Sequence, residues 1–354
     1  MMSSSDRFIV DYRPRMPADR RKGVAIVGCG QVARDWHLPA YRKHGFEVVG
    51  VYDVDARAAR LASERFEVPC VYPSLNALLS DRTVHVVDIA TRPDVRVGLM
   101  RQAIAAGKHV LAQKPLAPSV AEAAAVVEEA ERRGLRIAVN HNGRWSPPWR
   151  ITTLLIERGA IGDVIAVTHL HDASFARVQG THFDEIPQFA IYDYSIHWFD
   201  ITRCWLGEAA VECVRARSFR TPHQPAAART PWGMWAEIAY DSGASAVVRG
   251  VGHSGTRTPG HPFWVHGTEA TIRGNVLGED FLELETSGRK QRYLLEGSWY
   301  PDGFAATLGE LMAAVEEDRE PFNSARHNLL SLAMTLAAVE SAERDGAAIP
   351  IGGR

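Results

Sequence analysis

The chain has 354 residues, 46% hydrophobic and 23% charged, proportions of a soluble globular protein long enough for two domains with separate cores. A formal net charge of −2 without a long Lys/Arg block argues against nucleic acid and membrane as partners, and no apolar stretch approaches the ~18 residues of a membrane span. Cys29, Cys70, Cys204 and Cys213 are scattered without metal-ligand spacing, so they read as reduced thiols of a cytoplasmic protein, with no metal site.

Residues 1–22 show neither helical nor strand periodicity, but "FIVDY" at 8–12 is apolar enough to dock, which favours an ordered N-terminal arm. Arg20-Arg21 is followed by too short an apolar run, Val24 to Val27, for an export signal. From residue 23 the pattern becomes regular. Strands are expected at 23–28, 47–53, 84–91, 109–113 and 136–140, with helices at 31–45, 55–66, 92–107 and 119–134 between them. Short apolar strands without alternation, separated by amphipathic helices, indicate a parallel sheet covered on both faces. The fold class is α/β: an N-terminal Rossmann domain, doubly wound, followed by an α+β domain.

After "RWSPPW" (144–149) the character changes. A helix at 150–159 leads to a strand at 164–172, then a polar loop to about 188 and a helix at 192–207. Alternating stretches at 235–252 and 280–295 indicate a large, mostly antiparallel, half-exposed sheet. A helical pair near 303–317 and 325–345 closes the chain. The expected organisation is an arm (1–22), a dinucleotide-binding domain (23–142) and a substrate-binding and oligomerisation domain (143–354).

"GCGQVA", Gly28 to Ala33, lies between the first strand and the first helix and fits G-x-G-x-x-G/A. Gly28 permits the tight turn, Gly30 lets the backbone approach a pyrophosphate, and Ala33 allows close helix–strand packing. The helix start at Gln31 and Val32 offers free N–H groups and positive dipole to phosphates. Asp53 ends the second strand 20 residues after Ala33 (53 − 33), where its carboxylate would accept ribose hydroxyls. It would repel a 2′-phosphate, so NAD is favoured over NADP; Arg57 and Arg60 are the cations an NADP reading would use. Ligands of such sheets bind beyond the carboxyl ends of the strands, which brings Thr91, Pro93, Gln113 and Lys114 to the nicotinamide end. A lysine ending a buried strand would otherwise be an ordinary surface cation.

In "YDYSIHWFD" an apolar stripe of Tyr194, Trp198, Ile201 and Trp205 lies apart from a polar stripe of Asp193, His197 and Asp200. By spacing alone, the polar stripe is equally an exposed face stitched by Asp–His pairs.

Together, "AIVGCGQVARDWHLPAY", "AGKHVLAQKPLA", "VNHNGRWSPPW" and "YDYSIHWFDITRCWLG" resemble the Gfo/Idh/MocA family, which includes glucose–fructose oxidoreductase and inositol dehydrogenases. The resemblance spans residues 23 to about 345. It implies that Lys114 matches the lysine of a Glu-Lys-Pro motif, Asp193 the aspartate of a D-x-x-x-H helix and His197 the catalytic histidine. It also implies a homodimer or homotetramer built on the exposed sheet face. Three positions depart from the pattern: Gln113 replaces a glutamate, Ser195 a common glycine, and Arg96 a frequent histidine.

Such a set suits oxidation of a secondary alcohol of a sugar, inositol or related polyol by NAD. His197 would shuttle the hydroxyl proton. Lys114 would stabilise the developing alkoxide, and Asp193 would orient the imidazole or bind a neighbouring hydroxyl. Arg144 and Tyr192 are further candidates for substrate contact, with His171 and Asp172 after them. Two other classes fit part of the pattern: an NAD-dependent hydrolase or lyase using transient oxidation, and a dinucleotide-sensing binding protein.

Overall fold

Strand β1 (Gly23–Val27) is buried at all five positions, as a central strand covered on both faces must be. It belongs to a computed structural model that describes residues 8–207, 209–252 and 260–352 and divides into two compact units.

The first unit comprises residues 13–145 and 298–329. After β1 come α1 (Leu38–His44), β2 (Val48–Tyr52), α2 (Ala56–Phe66), α3 (Leu75–Ser80), β3 (Val84–Ile89), α4 (Pro93–Ala105), β4 (His109–Ala112), α5 (Val120–Arg132) and β5 (Ile137–Val139). The strands pair in parallel in the order β2-β1-β3-β4-β5, the doubly wound sheet expected from the sequence. Helix α3 was not anticipated; six residues are too short to show a period, although Ser74 caps it by accepting the Ala77 N–H.

The first helix is also not plain α. Residues Ala33–His37 form a π-helical turn in which Leu38 N–H bonds Ala33 O. Pro39 explains it: without an N–H it cannot continue the α ladder, so the turn widens before α1 begins. The wide turn accompanies a buried polar knot. His37 Nδ1 and the Tyr41 hydroxyl meet Asp88 Oδ2 at 2.6 and 2.7 Å, and His37 Nε2 lies 3.3 Å from Asn140 Nδ2.

Residues 298–329, read from the sequence as part of the second domain, pack in this unit. Helix α8 (Asp302–Glu316) is buried without a break from Gly303 to Ala314, so it needs partners all round. Thr307 donates to Asn140 Oδ1 at 2.9 Å and Trp299 Nε1 to Asn142 Oδ1 at 2.7 Å. Residues 13–22 are held by Glu316, whose carboxylate accepts the Ala18 and Asp19 N–H groups.

In the second unit, Tyr293 donates to Phe8 O at 3.0 Å, and the Tyr12 hydroxyl donates to Leu294 O and accepts the Glu296 N–H. The arm is therefore docked from residue 8, and residues 1–7 lie outside the described ones. The other elements are α6 (Pro147–Glu157), β6 (Val164–Asp172), α7 (Ile196–Leu206), β7 (Val211–Phe219), β8 (Gly233–Tyr240), β9 (Ser245–Val251), β10 (His261–Gly267), β11 (Ala270–Val276), β12 (Phe281–Thr286), β13 (Arg289–Arg292), most of α9 (Ala325–Glu343) and β14 (Ile349–Pro350). Among the described residues nine strands form one sheet, ordered β13-β12-β11-β10-β6-β9-β8-β7-β14. Only β6 and β9 pair in parallel; the other pairs are antiparallel. One sheet face packs on the helices: Trp205 of α7 stacks on His169 of β6 and meets Trp149 of α6 edge-on, while its indole N–H donates to Thr153 Oγ1 at 3.0 Å.

Candidate active site

At the carboxyl end of β1, Gly28 adopts φ +95°, and a Cβ there would stand 2.9 Å from Thr91 Cγ2 and 3.0 Å from the Ala90 carbonyl carbon. The turn therefore closes against the end of β3, and only glycine allows it. A Cβ on Gly30 would meet nothing within 4 Å, which leaves an open cradle above the backbone. The helix opens at Gln31 and Val32, with Arg34 N–H bonding Gly30 O at 3.1 Å. An unobstructed glycine loop at a helix N-terminus fits a dinucleotide pyrophosphate.

Asp53, just past β2, accepts the Cys29 N–H at 2.6 Å and the Asp55 N–H at 2.8 Å. The carboxylate read as a ribose acceptor thus also fixes the glycine loop. Burial, with Asp53 adding to it, pushes the Cys29 thiol up to about 12, so no thiolate stands in this loop at neutral pH.

Thr91 follows β3, Pro93 begins α4, and Gln113 and Lys114 follow β4 at the same sheet edge. Gln113 N–H extends the ladder to Ile89 O at 3.1 Å, and its side-chain Oε1 accepts the Lys114 N–H at 2.9 Å. The glutamine thus serves as a main-chain acceptor, a task needing no charge. Arg144 lies in a turn after β5, 1% exposed; it donates to Phe322 O and its guanidinium covers the Phe322 ring at 5.1 Å.

In the second unit the D-x-x-x-H segment is wound in two ways. Ala190–Tyr194, containing Tyr192 and Asp193, forms a π-helical turn, and α7 starts at Ile196 with His197 in its first turn. Ser195 joins them: its N–H and its hydroxyl both bond Ala190 O, at 3.1 and 2.6 Å. That pair of hydrogen bonds gives the serine a local purpose where a glycine is common in the family it resembles. The exposed-face reading fails here, because His197 is 7% exposed and Asp200 is buried, accepting from Ser331 at 2.7 Å. Tyr192 and Asp193 are half-buried.

His171 is enclosed by rings: it stacks on Trp198 at 4.2 Å and parallels His261 at 5.8 Å, while His261 Nε2 and the Tyr194 hydroxyl are 2.7 Å apart. Burial pushes His171 well below the ordinary histidine range, His261 to about 4 and His169 to about 3. His261 and His169 were not singled out in the sequence, where each is one histidine among strand residues. Asp172 meets Gly260 through backbone bonds of 2.9 and 3.1 Å.

These histidines make a testable pH signature. Unfolded, they take up protons from about pH 6.5 downward, whereas the folded forms of His261 and His169 resist until about pH 4 and 3. The unfolded state thus binds more protons in that window, so stability is full above it and falls with pH, by up to about 3 kcal/mol per histidine near pH 4. Urea unfolding followed by tryptophan fluorescence at pH 7 and 4.5 is expected to show the drop, and His261→Asn to reduce it. Equal pH slopes in the two proteins would refute the assignment to His261.

Among the described residues no group of three or more His, Cys, Asp or Glu is placed to hold a metal ion, and no helix is long and apolar enough to cross a membrane.

Residues 22–141 match the Gfo/Idh/MocA model described as "Oxidoreductase family, NAD-binding Rossmann fold", and residues 154–351 match its C-terminal alpha/beta domain. The chain is 28% identical over 367 residues to a D-apiose dehydrogenase of Paraburkholderia graminis, covering 99% of this chain and 95% of that protein. It is 30% identical over 206 residues to an inositol 2-dehydrogenase of Acidothermus cellulolyticus, 57% of this chain and 58% of that one. A crystal structure of an oxidoreductase from Agrobacterium radiobacter in complex with NAD+, L-tartaric acid and magnesium superposes with a TM-score of 0.82 at 24% identity, over 93% of this chain and 98% of that one, and shares its fold.

Proposed function

We propose that this chain, which belongs to the Gfo/Idh/MocA oxidoreductase family and is an NAD-binding dehydrogenase, oxidises a secondary alcohol of a sugar, inositol or related polyol. The observation carrying this reading is its similarity over 99% of its length to a sugar dehydrogenase, joined to an intact Lys114, Asp193 and His197. NAD, when bound, accepts the hydride from the carbinol carbon. His197 removes the hydroxyl proton, and Lys114 donates a hydrogen bond to the same oxygen as negative charge develops there. Asp193 orients the imidazole or binds a neighbouring hydroxyl, and Tyr192 and Arg144 are assigned to substrate contact. Gly28, Gly30, Gln31, Val32, Asp53, Thr91, Pro93 and Gln113 are assigned to the cofactor.

Absorbance of NADH, recorded with NAD and a panel of sugars and polyols, tests the reading. Net NADH formation with at least one member supports it; turnover without NADH accumulation would favour transient oxidation in a hydrolase or lyase.

Asp53 separates two effects. Asp53→Ala is expected to weaken NAD by about 1–3 kcal/mol, the scale of charge-assisted hydrogen bonds, and to relax discrimination against NADP. Asp53→Asn keeps an oxygen for the Cys29 N–H, so it should relax discrimination with a smaller loss of NAD affinity. Titration of both cofactors decides; a wild type that prefers NADP would overturn this role for Asp53.

We read the outer sheet face as a homo-oligomer surface. Exposed Val247 and half-buried Thr168 and Trp264 share a row across β9, β6 and β10, and exposed apolar side chains gathered on one face favour self-association. Sedimentation that gives a monomer would reject it. The four free thiols support the cytoplasm as its compartment.

A further inference from the structure

We propose that Arg96 is a positioning residue that sets the nicotinamide end of the cofactor site by tying the ends of β3 and β4 together. The inference rests on the NAD reading above and adds to it a residue outside the glycine loop and outside the acid–base set.

Arg96 lies in the first turn of α4 and is 1% exposed. Its guanidinium donates through one terminal nitrogen to Thr91 O and through the other to Pro115 O. The regular ladder between the two strands stops at the Gln113 N–H to Ile89 O bond. The register between them runs no further than Ile89 opposite Ala112, so the next main-chain groups lie past the paired strands. Carbonyls left there without a donor would be costly. A guanidinium is planar, keeps its charge and presents its N–H groups as a fixed fork, so one side chain can serve two carbonyls on neighbouring strands.

What the clamp holds is the useful part. Thr91 touches Gly28 closely enough that a Cβ on that glycine would overlap its methyl group, so fixing Thr91 O fixes the wall against which the glycine loop turns. Pro115 directly follows Lys114. The lysine's main chain is thereby held on both sides, by Gln113 Oε1 on its own N–H and by Arg96 on the next carbonyl. Arg96 acts through these neighbours and is not assigned a contact with cofactor or substrate.

Two ligands separate this role from general support of the unit: NADH, which carries the nicotinamide ring, and ADP-ribose, which lacks it. Binding of each to the full chain is measured by titration calorimetry, with the emission of bound NADH as the spectroscopic readout. Arg96→Met is expected to weaken NADH about tenfold, the order for losing a charge-assisted hydrogen bond, and to move the bound emission toward that of free NADH. ADP-ribose should stay within about twofold of wild type, as expected for a site not coupled to the change. Arg96→Lys keeps the charge but not the fork, and should fall between wild type and Arg96→Met. If Arg96→Met does not fold, Arg96→Lys decides alone, with selective weakening of NADH expected. Equal weakening of both ligands, or no change in either, would overturn the proposal. A wild type that binds neither ligand would instead overturn the dinucleotide reading on which it stands.

Discussion

His197→Ala is expected to lower turnover by a factor of about 10² to 10⁴, the usual loss when a general base is removed, while NAD affinity stays near wild type. The imidazole belongs to the first turn of α7 and is 7% exposed, held in a helix whose first seven residues are all buried, so the substitution removes a fixed imidazole and not a mobile surface group. Lys114→Ala should cost a similar factor if its ammonium, as proposed, serves the same alcohol oxygen. Two groups acting on one atom are not independent, so the double variant should be much less than multiplicatively worse. Asp193→Asn should cost less than either if the carboxylate only orients. The rates need a substrate found from the NADH panel, with NAD binding measured separately by titration. Near-normal turnover in His197→Ala would reject this mechanism.

Gly28→Ala is expected to abolish useful NAD binding. A left-handed backbone costs an L-residue about 1–2 kcal/mol, and Gly28 sits at φ +95°. Its new Cβ would also press on Thr91 Cγ2 and the Ala90 carbonyl, within 3.0 Å, and overpacking of that kind costs about 1–3 kcal/mol more. The loop can relieve the overlap only by moving away from β3. That takes its N–H groups off the pyrophosphate, so a loss of at least roughly 30-fold in NAD affinity follows from the ~1.4 kcal/mol per decade relation if the whole cost falls on binding. Gly45→Ala is the control. It shares a positive φ of +70° at the end of α1, but its Cβ would meet nothing within 4 Å. It should lose about 1–2 kcal/mol of stability and no NAD affinity. Equal NAD affinity in Gly28→Ala and wild type would mean the loop does not carry the phosphates.

The parts of the fold legible in the sequence are those encoded by short-range periods. The uninterrupted apolar runs 24–27 and 110–112 read as buried strands, and the glycine loop between strand and helix points to a dinucleotide. The antiparallel sheet is legible in β8, β9 and β12, where side chains alternate between more and less buried, but the sequence does not separate β7, β10 and β11 as strands. Their apolar positions are diluted by Arg, Cys, Gly and His, such as Arg215, Arg217, His261 and Gly274. The two π-helical turns were read as ordinary helix because hydrophobic spacing does not record whether a turn closes on the fourth or fifth residue.

For the candidate site, residue type and spacing named Gly28, Gly30, Asp53, Lys114, Asp193 and His197 and, through the family resemblance, assigned the last three their chemistry. The structure supplies the surroundings of each, such as the loop bond from Cys29 to Asp53 and the serine that anchors the turn before α7.

By itself the sequence determined that the first sheet is parallel and where the glycine turn falls, because both follow from the local succession of short apolar strands, helices and the loop between them. The tertiary structure alone decided that α8 packs with the dinucleotide-binding unit, that Arg96 bridges Thr91 and Pro115, and that His169, His171 and His261 lie neutral among tryptophans. Each of these depends on groups far apart in the chain that meet only once the sheets form, and burial, not residue type, then sets their charge.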